Sequence, residues 1–157
     1  MKKKKVVVIS LLLLLVSVIG ISSYFLFKDK INLLDVDHSA VDWNGKKQKD
    51  TSGEENTIAI PGFEKVTLYA NETKQAVNFH NPEINDCYFK ISLIHPDGSV
   101  LWISDLIEPG KGIYSIELEK TLAVGEYENA VLKYECFSLN DQSPLNGSEI
   151  NLKLVVV

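Results

Sequence analysis

From residue 57 onward apolar and polar side chains alternate with a period of two, and turn residues recur about every 8 to 12 positions. Near the N-terminus 22 residues, Val6 to Phe27, pass without a charge. These observations predict an all-β domain, an immunoglobulin-like antiparallel β-sandwich of seven to eight strands, preceded by one N-terminal transmembrane helix.

The first element is a basic flank, residues 1–5, in which Lys2 to Lys5 follow Met1. Residues 6–27 form the second. A helix of that length spans about 33 Å, enough to cross a hydrocarbon core of about 30 Å. Four lysines ahead of it place the N-terminus inside and the rest of the chain outside the cell membrane. The alternative is a cleavable signal peptide with an apolar core from Val6 to Ile19 and small residues at Gly20 and Ser22. Tyr24 to Phe27 prolong the apolar run past any such cut, which favours a retained signal anchor.

Residues 28–56 lose this rhythm and read as a linker, most polar from Asn44 to Glu55. As flexible coil it spans roughly 30 Å. Val41 and Trp43 are the two side chains in it with reason to dock. Asp35, Asp37, Asp42 and Asn44-Gly45 look superficially like a calcium loop. Counting from Asp35, however, the sixth residue is Ala40 and the twelfth Lys46, where an EF-hand needs Gly and Glu.

The domain proper is expected over 57–157. Strands are predicted at 57–60 continuing through 64–70, then at 75–80, 87–94, 99–104, 112–118, 127–137 and 148–156. Pro61-Gly62, Asn81-Pro82, Pro96-Asp97-Gly98, Pro109-Gly110 and Asn146-Gly147 punctuate them. Leu122 to Tyr127 fits a tyrosine corner, in which a Tyr hydroxyl bonds the backbone just upstream. In a sandwich of this type the 87–94 and 127–137 strands are antiparallel neighbours. Cys87 and Cys136, 49 positions apart, then meet on the inward face. They are either a disulfide, contributing roughly 3–4 kcal/mol by chain entropy, or two buried thiols.

Three stretches carry a family resemblance: Ile60-Pro61-Gly62-Phe63, Asn81 to Phe89 (NPEINDCYF), and Ser104 to Gly110 (SDLIEPG). Across 57–157 the chain resembles a group of small, little-characterised membrane-anchored surface proteins of Gram-positive bacteria, many carried on conjugative mobile elements. The resemblance implies a surface location and supplies no catalytic residues.

Charge narrows the function. All 16 basic residues are lysines, and beyond residue 27 there are 12 of them against 21 Asp and Glu. Such an acidic domain without arginine disfavours nucleic acid as a partner. No nucleophile, cofactor or metal motif stands out, so neither an enzyme nor a cofactor is expected. His38, His80 and His95 are scattered, and His80 with Asp86 would need further ligands to hold a metal. His80 is expected on the outward, solvated face of its strand. Asn71-Glu72-Thr73 and Asn146-Gly147-Ser148 match glycosylation acceptors but read as turns. The candidate binding pole is formed by two loops at one end of the sandwich. It comprises His80, Asn81, Glu83, Asn85 and Asp86, with Asn140, Asp141, Gln142 and Asn146, amides and carboxylates suited to a peptide, a sugar or a weakly held calcium ion. The expected function is a membrane-anchored extracellular interaction module. Its partner is a protein in a cell-envelope or conjugation-related assembly; the alternative is an adhesin or carbohydrate-binding domain meeting glycans.

Overall fold

A computed structural model describes residues 33–45 and 57–157. The expected flank 1–5, the expected transmembrane segment 6–27 and much of the linker lie outside them. Within the described residues every regular element is a strand. These are β1 (Val41–Asp42), β2 (Lys65–Leu68), β3 (Lys74–His80), β4 (Cys87–Ile94), β5 (Val100–Ile103), β6 (Lys111–Glu117), β7 (Gly125–Ser138) and β8 (Pro144–Val156). They form a three-stranded sheet in the order β1-β6-β3 and a five-stranded sheet in the order β2-β8-β7-β4-β5.

Period-two alternation explains the pairing of the two layers. In β4, Cys87, Phe89, Ile91 and Leu93 are buried, and in β7 so are Ala130, Leu132, Tyr134 and Cys136. They meet Phe79, Ile113 and Ile116 from the smaller sheet in one apolar cluster. Phe63 and Trp102 pack against Phe79 there, with ring centroids 5.5 and 5.8 Å away. Each fully buried large side chain contributes about 1.5–3 kcal/mol over its exposed state, so this layer dominates stability. The centre of the larger sheet is the β4–β7 ladder, in unbroken register from Cys87↔Ser138 to Ile94↔Val131. The β7–β8 ladder is broken by shifts between Tyr127 and Ala130 and between Tyr134 and Cys136.

The tyrosine corner is present: the Tyr127 hydroxyl donates to the Ala123 carbonyl at 2.9 Å. Tyr127→Phe is expected to lose about 1 kcal/mol in urea unfolding, with unchanged circular dichroism. A loss below about 0.3 kcal/mol would show that the bond contributes nothing.

Three expectations need correction. The sandwich is not wholly antiparallel, because β2 runs parallel to β8 from Lys65↔Lys153 to Leu68↔Val156. Residues 57–60 form no ladder. The folded unit also begins at Leu34 rather than residue 57. Val36 bridges Leu106, and Val41–Asp42 adds an edge strand to β6 at Gly112 and Lys111. Residues 34–45 are therefore a strap on the domain and not part of a solvated linker.

Candidate interaction surface

The strands deliver three loops to one pole of the sandwich: 81–86, 104–110 and 139–143. The nominated residues divide sharply there. Asn81 is fully buried. Its Nδ2 donates to the carbonyls of Cys87 (2.8 Å) and Ile107 (2.9 Å), and its Oδ1 accepts from Asn85 Nδ2 at 2.8 Å. Asn85 also grips the backbone of Ala59, accepting its N–H at 2.8 Å and donating to its carbonyl at 3.0 Å. Gln142 does the same for Leu34, at 2.6 and 3.0 Å. Gln75, at the other pole, grips Tyr69 at 2.7 and 2.8 Å. A primary amide presents the same donor and acceptor as a peptide group, so each satisfies backbone that has no ladder partner. Residues expected to bind a ligand thus bind their own chain.

His80 corrects a second expectation. It does lie on the outward face of β3, opposite Gly112, but it is only 5% exposed. Trp43 from the strap covers it, with ring centroids 3.9 Å apart and planes 10° from parallel. The Trp43 backbone N–H donates to Gly110, and its Nε1 donates to Asn78 Oδ1 at 2.9 Å. Position 112 must be glycine for this stack, since a Cβ there would lie 2.7 Å from Trp43 Cδ1. Burial holds the His80 imidazole at about 4, below its ordinary 6.5, and its Nδ1 has no hydrogen-bond partner. Because the folded-state value is depressed, the unfolded chain takes up a proton that the folded one refuses. Stability should therefore fall as pH drops from about 6.5 to about 4 and level off below. The depression from 6.5 to about 4 corresponds to a loss of about 3 kcal/mol across that window. Trp43→Ala should remove that pH dependence; its persistence in urea titrations would place the proton elsewhere.

The rest of the pole is exposed and local. Asp141 Oδ1 accepts the Ser143 backbone N–H at 3.1 Å, and the Asn140 N–H donates to Ser138 Oγ at 3.2 Å. The Ser143 bond holds the Asp141 carboxyl below its usual range. Glu83 and Asp86 are exposed on the 81–86 loop. Asn146 is not in a loop; it lies within β8, and the expected turn at Asn146-Gly147-Ser148 is strand. The structure thus joins Asn81 to Asn85 in the interior and buries His80 separately under Trp43, and among the described residues the amides of Asn81, Asn85 and Gln142 are engaged with backbone. Among the described residues no group of three or more His, Cys, Asp or Glu is placed to hold a metal ion.

Cys87 and Cys136 do converge. Both thiols are free and 1% exposed, set diagonally across adjacent strands. The neighbouring Cys87 side chain and burial push the Cys136 thiol up.

Sequence reasoning missed the outer face of the five-stranded sheet. Tyr88, Ile94, Val131 and Phe137 point away from the core there and are half-buried. Val100 and Ile103 on β5 are 43% and 48% exposed and pair with the outward-facing Ile94 and Ser92. Between these apolar groups runs a mixed row, with Lys90 paired to Glu135 and Lys133 to Glu149 across the ladders. Over β7 and β8 lies a groove of about 310 Å³ lined by Lys133, Glu135, Phe137, Pro144, Leu145 and Glu149. The signal was legible as apolar residues at outward positions of otherwise alternating strands. Compared with known proteins, the chain matches no family model, no curated protein and no solved structure.

Proposed function

We propose that this chain is a non-enzymatic interaction module, held at the cell membrane by residues 6–27 and displayed outside, that binds a protein partner through the outer face of its five-stranded sheet. The carrying observation is the apolar content of that face: Val100 and Ile103 exposed, Phe137 and Tyr88 half-buried, and a groove of about 310 Å³ beside them. A complementary partner presents apolar side chains flanked by both signs of charge, matching the Lys90–Glu135 and Lys133–Glu149 row. The strand order, with β2 parallel to β8 at the sheet edge and β8-β7-β4-β5 beyond it, supports an immunoglobulin-type sandwich.

Tethering supports a partner close to the membrane. With Leu34 already inside the fold, six residues (28–33) separate it from the expected anchor, a reach of at most about 25 Å. A partner in a cell-envelope or conjugation-related assembly fits that reach. The glycan-binding alternative drew on the amides of the loop pole, and Asn81, Asn85 and Gln142 are engaged with backbone.

Photo-crosslinking amino acids placed singly at Val100, Ile103 and, as a control, Glu119 test the reading in intact membranes. The first two should give one discrete protein adduct, abolished by Phe137→Glu. Adducts only at Glu119, or none at the sheet face, would contradict it.

A further inference from the structure

The cysteine pair has a chemistry that the interaction face does not use. Cys87 is the first residue of β4 and Cys136 lies two residues before the end of β7. Cys136 pairs with Phe89 and Cys87 with Ser138, so the two cysteines are diagonal neighbours across adjacent strands. Their side chains are buried in the core, yet both cysteines lie within three residues of the loop pole. We propose that Cys87 and Cys136 are a redox-closable dithiol site, joined by a disulfide-bearing oxidant into a cross-strand bridge that locks β4 to β7.

The electron and proton balance is that of thiol–disulfide exchange. The Cys87 thiolate attacks one sulfur of the oxidant, a protein or small-molecule disulfide, and releases one thiolate. Cys136 loses its proton and attacks Cys87 Sγ in the resulting mixed disulfide, forming the Sγ–Sγ bond and expelling the second thiolate. Two electrons pass to the oxidant, and the two thiol protons end on its released thiolates. Cys87 is the first attacker because it begins β4 beside the 81–86 loop, whereas Cys136 lies inside β7. In the closed fold the pair is shielded, so exchange proceeds when the ends of β4 and β7 open. Asn81 governs that opening, because its Nδ2 holds the Cys87 carbonyl at 2.8 Å. An oxidising location outside the membrane permits the reaction, and reducing conditions reverse it.

The test uses the full-length chain, purified from membranes in detergent and fully reduced. It is unfolded, refolded in a glutathione disulfide buffer, quenched in acid, and alkylated with a maleimide in denaturant. The expected product is a monomer that has lost two hydrogens, carries neither maleimide nor glutathione, and retains its β-sheet circular dichroism. Its melting temperature should lie roughly 10 °C above that of the reduced chain. Two maleimides per chain, a persistent glutathione adduct, or an oxidised form that melts below the reduced one would each overturn the proposal.

Discussion

Asn81→Ala is expected to destabilise the domain by about 3–5 kcal/mol, the largest effect of any polar substitution in it. The substitution removes two donors and one acceptor from a fully buried site. The carbonyls of Cys87 and Ile107 then lose a donor, and Asn85 Nδ2 loses one acceptor. Ile107 O keeps the Phe89 N–H and Asn85 Nδ2 keeps the Ala59 carbonyl, so the loss is that of three buried hydrogen bonds at about 1–1.5 kcal/mol each. Asn81→Asp should be nearly as damaging, because a carboxylate cannot donate to the two carbonyls. Asn85→Ala should cost less, about 1–3 kcal/mol, since its site is only partly enclosed where it grips Ala59. Equilibrium urea unfolding measures all three. A loss under about 1 kcal/mol for Asn81→Ala would mean that the amide is not the hub of this pole.

Gly147→Ala is the second large effect expected, about 2–4 kcal/mol, for a steric reason. A Cβ at position 147 would lie 2.2 Å from the Tyr134 carbonyl oxygen, and backbone cannot swing aside as a side chain can. The contact falls where the β7–β8 register shifts between Tyr134 and Cys136. Bulges of this kind re-aim a strand, and here the shift opens the groove lined by Phe137, Pro144 and Leu145. Alanine must therefore displace β8 relative to β7 or strain both. Gly62, by contrast, has open space around it, so Gly62→Ala should be nearly silent.

Much of the fold was legible because period two reports faces directly. The inward sets of β4 and β7 were assigned correctly, and so were the adjacency of those strands, the convergence of Cys87 with Cys136 and the Tyr127 corner. Period two does not report partners. It could not show that β2 lies parallel to β8, nor that two residues, Val41 and Asp42, suffice as an edge of β6. His80 marks the boundary well: its face was read correctly and its burial was not, because the side chain that covers it lies 37 positions upstream at Trp43.

The candidate site was less legible for a chemical reason. Asn and Gln in loops satisfy two descriptions equally, a surface ready for a ligand and a staple for irregular backbone, and only geometry separates them. Asn85 on Ala59 and Gln142 on Leu34 are staples. The sheet face was visible in Tyr88, Ile94, Val131 and Phe137. Apolar residues on the outward side of a strand are common singly, however, and become a surface only once neighbouring strands align them.

That the chain upstream of residue 57 closes the loop pole is the claim on which the others rest, and residue-resolved hydrogen exchange on the full-length chain measures it directly. The backbone N–H groups of Leu34, Asp37 and Trp43 donate to Gln142, Leu106 and Gly110. They should exchange at least 100-fold more slowly than free chain, in proportion to an opening free energy of about 3 kcal/mol. Exchange of all three at the free-chain rate would detach the strap, expose His80, and return the pole to the solvent.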